Sequence, residues 1–444
     1  MTVAAGLSKG SVEKIAVVVS ILAILGPYIY GSVRLEHVVI YGFALLITAR
    51  LALARNTSLT APDLWTYSNL LMPIIWLGIL TLSLLGHLLE FGTSLPDLPS
   101  FLSGIDSFLL PITGYFLVQV LASSAGKARA AVYVGTSIVI IMVVNALLAV
   151  ATASLGRPSA LEWFAVSRSD ESVSVASLSP AQNLGVFNQP AEAGLAYSLA
   201  VLCVIFFFVD RPGVQFALVA ILSVGGFISI SKVFVIGGVV IIILAAGIAG
   251  GVKRFLTSLG GLLLGFLASI PLSGFGTYGR LFSALTNTET QEDALWVLTA
   301  GRRGTSGEAV NLSSTQEIPE PFWGFGPSGI NGAGLTLDSA YLHMVTIGGH
   351  IGFALWLLVL CLLLIFSIRS KDSAWRIFGL ALFCLVVGSS LGFEPLSSNR
   401  SGTMAMMLIA LIMCPARDHM REPRMSPSRQ EFPSKGSRKP RNES

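Results

Sequence analysis

The sequence is poor in charge. Of 444 residues only 12% are Asp, Glu, Lys or Arg, against roughly a quarter in ordinary soluble domains. That shortage leaves too little polar surface to keep so long a chain in water. Cysteine is scarce as well. Cys203, Cys361, Cys384 and Cys414 all lie in or beside apolar stretches, so no disulfide-stapled outer domain is expected and no CxxC metal spacing exists. The five histidines, His37, His87, His343, His350 and His419, are scattered, which argues against a zinc site. There is no GxxxxGK[ST] loop, hence no sign of ATP hydrolysis, and no internal repeat. Neither a metal nor any other cofactor is expected, and no nucleic acid partner.

What is abundant is apolar sequence: 53% of residues, with a mean hydropathy of +0.75. It comes in continuous runs of about 17 to 25 residues, the length that crosses a hydrocarbon core as helix. A bilayer cannot solvate bare backbone, so such runs are helices or a closed barrel, and a barrel would alternate every residue. The expected fold class is therefore an all-α integral membrane protein with about twelve spans. They fall at 14–31, 37–54, 68–90, 104–123, 130–152, 191–209, 214–230, 233–250, 255–272, 341–367, 377–393 and 401–414. Only Ser231 and Lys232 separate the seventh from the eighth, giving a tight hairpin or one broken pair. The first run is not followed by a small-residue cleavage site and reads as a span, not a removable signal.

Lysine and arginine set the orientation. With the N-terminus cytoplasmic, most of the 28 basic residues fall on the cytoplasmic side, including the tail from Arg417 to Arg441, as the positive-inside rule requires. The outer side keeps Arg34, Arg157, Arg168, Lys232, Arg280, Arg302, Arg303 and Arg400. The organisation is then a cytoplasmic N-terminus (1–13), five helices (14–152), an external loop (153–190), four helices (191–272), a large external loop (273–340), three helices (341–414) and a basic, disordered cytoplasmic tail (415–444).

The loop 273–340 is too long for a plain connector. Its middle predicts a helix: Thr288 and Gln291 resemble a capping box, acidic residues fill the first turn and Gly301 suits a stop. Gly301-Arg302-Arg303-Gly304 follows. Arginine offers a planar, permanently charged fork that fits phosphate, although an arginine pair in an external loop is more often a solvated or salt-bridged surface. Lys232, among apolar neighbours at a span edge, suits a functional cation or a lysine snorkelling to headgroups. The turn-rich Pro321-Phe322-Trp323-Gly324-Phe325-Gly326-Pro327 suits stacking on a sugar or lying at the interface. Asp338 stands where it could cap the tenth span, just before Tyr341 and His343.

In their order, these elements resemble the O-antigen polymerase and O-antigen ligase superfamily of bacterial envelope membrane enzymes. The resemblance runs from about Gly185 to Ile351. It comprises Gly185-Val186-Phe187-Asn188-Gln189-Pro190 with Glu192 and Gly194, then Ser231-Lys232, Gly301-Arg302, Gly324-Phe325-Gly326-Pro327-Ser328-Gly329, Asp338-Ser339-Ala340-Tyr341-Leu342, and Gly348-Gly349 with Gly352. There are departures. Lysine replaces arginine at 232, Ser306 stands near the place of a usual tryptophan, and the second asparagine of the proline signature is missing.

The resemblance implies a GT-C-like glycosyltransferase that joins sugar chains carried on polyprenyl diphosphate, on the outer face of the bacterial cytoplasmic membrane and without metal. Lys232, Arg280, Arg302 and Arg303 would meet the diphosphate leaving group. Asp338, with Glu192 and His343 in reserve, would take the acceptor proton. Trp323, Phe325 and Tyr341 would contact sugar. Asp338-Ser339, where ligases tend to carry His-Asn, favours polymerase over ligase. A flippase and a chain-length regulator are the partners the resemblance implies. The rival classes are a lipid-linked sugar flippase, which should place charges mid-membrane in two related halves, and a scaffold protein with no use for external arginines.

Overall fold

The computed structural model of the chain describes residues 11–30, 33–53, 67–91, 98–156, 161–165, 184–187, 189–208, 211–273, 322–324, 326–327 and 340–414. Helices dominate them: α1 (Ser11–Ala23), α2 (Leu35–Leu53), α3 (Tyr67–Phe91), α4 (Leu98–Ala125), α5 (Lys127–Leu155), the short α6 (Glu162–Ala165), α7 (Pro190–Phe207) and α8 (Pro212–Ile228). A π-helical stretch, Val233–Gly238, leads into α9 (Val239–Ser273), followed by α10 (Ala340–Arg369), α11 (Ser373–Ser389) and α12 (Asn399–Met413). Among the described residues seven helical runs are long and apolar enough to cross a membrane, and Pro212–Ile228 and Ser373–Ser389 are shorter apolar helices. This is the make-up of a multi-pass membrane protein.

Each predicted span overlaps a helix, with two physical adjustments. The first helix stops at Ala23, because Gly26 and Pro27 end it and the chain turns into a two-stranded antiparallel ribbon, β1 (Tyr28–Tyr30) and β2 (Val33–Arg34). The chain is thus mostly helical, not wholly so. The eighth and ninth spans form one continuous run broken at Gly251, whose φ of 65° and ψ of −163° no other residue type adopts cheaply.

Small residues set the packing. A Cβ on Gly261 or Gly265 of α9 would strike Val219, or Ser223 and the Ala220 carbonyl, on α8, so these two helices approach at backbone distance. At the centre stands α12, in which every residue from Arg400 to Met413 is buried. It lies along α4, where Gly114 receives Thr403 and Met407. Gln119 Nε2 donates to the Ala410 carbonyl at 2.8 Å, and Lys127 Nζ reaches the carbonyls of Ile412 and Cys414 at 3.4 and 3.1 Å. A cation at a helix C-terminus satisfies orphan carbonyls and complements the helix dipole. Glu13 and Arg50 pair at 3.0 Å between α1 and α2.

Candidate functional site

The opposite end of α12 gathers a group of buried charged side chains. Three connections from remote parts of the sequence meet there: the ribbon after α1, the turn before α7 and the turn before α12. Arg400 joins them. Its side chain has no exposed surface. Nη1 donates to the Val186 carbonyl, and Nη2 donates to the carbonyls of Phe164 at 2.9 Å and Gly26 at 3.3 Å, with the Phe187 ring 5.9 Å from Cζ. Glu192, in the first turn of α7, accepts the backbone N–H groups of Arg400 (3.2 Å) and Ser401 (3.4 Å) through Oε1. Ser398 Oγ accepts the N–H of Gly402, so the free donors at the start of α12 are capped from two directions.

Beside this lies a second charged group. Arg34 Nη2 sits 2.8 Å from Glu36 Oε1, both buried, with the Tyr28 ring 5.5 Å from the guanidinium. Burial opposes the Arg34 charge, but Glu36 and, behind it, Tyr28, Glu192 and Asp106 outweigh that and hold its pKa above the usual value. His37 Nδ1 accepts the backbone N–H of Arg34 at 3.1 Å, so its ring proton belongs on Nε2, which faces Asp106 Oδ2 at 2.9 Å. Tyr41 donates to the other Asp106 oxygen at 2.6 Å. These groups lie where ribbon, α2 and α4 meet.

The turn Ser231-Lys232 packs against α7. A Cβ on Gly194 would come within 2.0 Å of Ser231 Oγ, so glycine is required there, one turn beyond Glu192 or less. Ile230 carries a φ of 52°, a conformation a β-branched residue adopts only when its surroundings impose it. The π-helix begins immediately afterwards, with Lys232 half-buried before it.

Trp323 and its neighbours occupy a notch. A Cβ on Gly86 (α3) would meet the Trp323 and Gly324 carbonyls at 2.7 Å, and one on Gly104 (α4) would strike Pro327. In α10 the helix breaks at Gly349 (φ 62°, ψ −164°), where a Cβ would collide with the Phe322 backbone at 2.4 Å. Gly326 donates its N–H to the Ile347 carbonyl at 3.2 Å, next to that break. Glycines at 86, 104, 324, 326 and 349 therefore let an irregular strip of chain lie among three helices. Irregular backbone inside a membrane protein needs such enclosure.

Of the residues singled out in sequence, Glu192 and Lys232 come to the α7 end, Glu192 as a cap on the backbone N–H groups of Arg400 and Ser401. Trp323 is in the notch. Tyr341 packs its ring on Trp356 (5.2 Å) and Phe353 (6.5 Å), as part of the helix interior. His343 is half-buried two residues further along α10. Arg280, Arg302, Arg303, Phe325 and Asp338 lie outside the described residues, as do the loop helix, most of 153–190 and the tail. Sequence reasoning passed over Arg34, Glu36, His37, Tyr41, Asp106, Glu394 and the full role of Arg400. The run Arg34-Leu35-Glu36-His37 at the start of an apolar span was the available signal. Among the described residues no cluster of His, Cys, Asp and Glu has metal-binding geometry. Comparison with protein-family models, characterised proteins and solved structures finds no match.

Proposed function

We propose that the chain is a glycosyltransferase with about twelve membrane spans, extending a surface polysaccharide by whole repeat units delivered on polyprenyl diphosphate. Its charged end would face away from the cytoplasm of a bacterial inner membrane, with both termini inside. The observation that carries this reading is the convergence of sequence-distant motifs. Val186-Phe187 lies on Arg400, Glu192 caps α12, Ser231-Lys232 rests on α7, and the Trp323–Pro327 segment sits against Gly349. Gly104 in the notch is two residues from Asp106 in the charged group, so α4 joins the two regions. Supporting the orientation, Lys127 and the Arg50–Glu13 pair belong to the other helix ends.

In the proposed reaction an acceptor hydroxyl oxygen attacks the anomeric carbon, and the bond from that carbon to the lipid diphosphate breaks with its electron pair. Lys232 and the loop arginines Arg280, Arg302 and Arg303 would meet the charge that develops on the leaving group. A carboxylate takes the hydroxyl proton, and the family resemblance places Asp338 in that role. Arg400 gives both Nη groups to backbone carbonyls, so its work is to hold three connections in register.

The test is surface and lipid-linked glycan from a deletion strain, complemented with wild type or with Lys232→Ala or Arg302→Ala. The expected result is a polymer ladder restored by wild type only, with single repeats left on the lipid in the variants. Long polymer retained on the lipid carrier in the deletion strain points to a ligase. Absence of lipid-linked product on the outer face points to a flippase.

A further inference from the structure

The carboxylates at the charged end differ in how they are committed. Glu36 is 2.8 Å from Arg34, Asp106 is bonded to Tyr41 and faces His37, and Glu192 holds two helix N–H groups. Each of these three carboxylates is therefore already committed to a named partner. Glu394, in the turn between α11 and α12, is different. No charged side chain among the described residues is in ion-pair contact with it. Its Oε1 accepts the N–H of Leu396 at 3.3 Å, with the Ser397 N–H also on the carboxyl. Its Oε2 is enclosed and has no hydrogen-bond partner among the described residues, while the residue as a whole keeps some exposure. Phe393, Pro395 and Leu396 around it are buried. The same turn receives the chain returning from the large loop, since Ala340 donates its N–H to the Ser390 carbonyl at 3.0 Å.

We infer that Glu394 is a catalytic residue of the proposed transfer, the group that accepts the proton of the acceptor hydroxyl. The inference rests on the glycosyltransferase reading above. As the acceptor oxygen bonds to the anomeric carbon, its proton passes to Glu394, and the electron pair of the breaking carbon–oxygen bond leaves on the lipid diphosphate. The product is one longer lipid-linked chain, one free lipid diphosphate and a protonated Glu394, which water then deprotonates. Burial pushes the carboxyl up to about 8, the backbone N–H groups pulling the other way, which places it near the working pH of a general base.

The experiment uses purified full-length protein in lipid nanodiscs with a synthetic polyprenyl-diphosphate-linked repeat unit. Wild type, Glu394→Gln, Glu394→Asp, Glu394→Ala and Asp338→Asn are compared from pH 6 to 9. Glutamine keeps the oxygen that holds the Leu396 N–H, so the turn survives. The expected result is a kcat lower by about 100-fold or more in Glu394→Gln with KM unchanged, partial activity in Glu394→Asp, and rescue of Glu394→Ala by formate. Wild-type kcat should rise with pH towards a plateau above about 8. Full activity of Glu394→Gln together with loss in Asp338→Asn overturns the inference and leaves the broader reading intact. An inactive wild type that nonetheless binds the substrate overturns both.

Discussion

Glu192 Oε1 accepts the backbone N–H of Arg400 at 3.2 Å, bringing the first turn of α7 onto the first turn of α12 across 208 residues of sequence. The bond is directed at main chain, so what it fixes is the position of a helix start and not an ion pair. Arg400 then uses its guanidinium on other main-chain groups. The two residues form a clamp in which each addresses the backbone.

Glu192→Ala should remove this second cap and lower stability by about 0.5–2 kcal/mol. Glu192→Gln keeps an acceptor oxygen and should lose clearly less. Thermal unfolding in detergent checks it, and equal losses would show that charge matters more than capping.

Arg400 has a larger role. Its buried guanidinium satisfies the carbonyls of Gly26, Phe164 and Val186. Arg400→Met leaves those three buried carbonyls without their donor, at a cost of about 1–3 kcal/mol for each group left unsatisfied. Arg400→Lys should not rescue it, because one ammonium cannot reach three diverging carbonyls. Folded yield in detergent, read by size-exclusion chromatography, decides.

The glycine notch gives a third expectation. Gly349→Ala meets both the positive φ of 62° and the Phe322 backbone. The left-handed conformation alone costs a non-glycine residue roughly 1–2 kcal/mol, and the contact adds to it. The Trp323 segment should be expelled. A cysteine placed at 323 should then react faster with a membrane-impermeant maleimide in the Gly349→Ala background, and an unchanged rate would mean that the strip is held elsewhere.

Stability should depend on pH through Glu394. Its carboxyl is raised to about 8 in the fold from 4.5 in the free residue, so the folded chain holds this proton more tightly than the unfolded one. The contribution is fully present below about 4.5 and is lost as pH rises through about 8. The thermal midpoint of wild type should fall from pH 5 to 8, and Glu394→Gln should flatten that part of the slope.

Much of the helix layout was legible, because a hydrophobic run of spanning length admits few conformations in lipid. Gly251 and the Ser231-Lys232 turn separated helices where the composition changed. The ribbon at Tyr28–Arg34 was less visible, since Tyr and Ile suit strand and helical span alike and only Gly26-Pro27 marked the break. The site was harder. Arg400 was plain as an outer-side basic residue, but its three carbonyl partners lie 214, 236 and 374 residues away, and nothing local encodes them. Asp106 sat inside a predicted span, where only assembly reveals His37 and Tyr41. The notch depends on glycines from three helices and a loop; Gly324, Gly326 and Gly349 stood out in motifs, but Gly86 and Gly104 did not, and nothing local tied the five together.

The arrangement around Arg400 also constrains the order in which the chain becomes whole. Gly26 and Phe164 emerge early in synthesis, and their carbonyls must wait for an arginine in the final helix. Until α12 enters, that end of the molecule stays open and its ribbon is only loosely held. A chain shortened before Asn399 would therefore insert many of its helices yet remain unfinished where the charges meet, exposing a defect that membrane quality-control proteases can recognise.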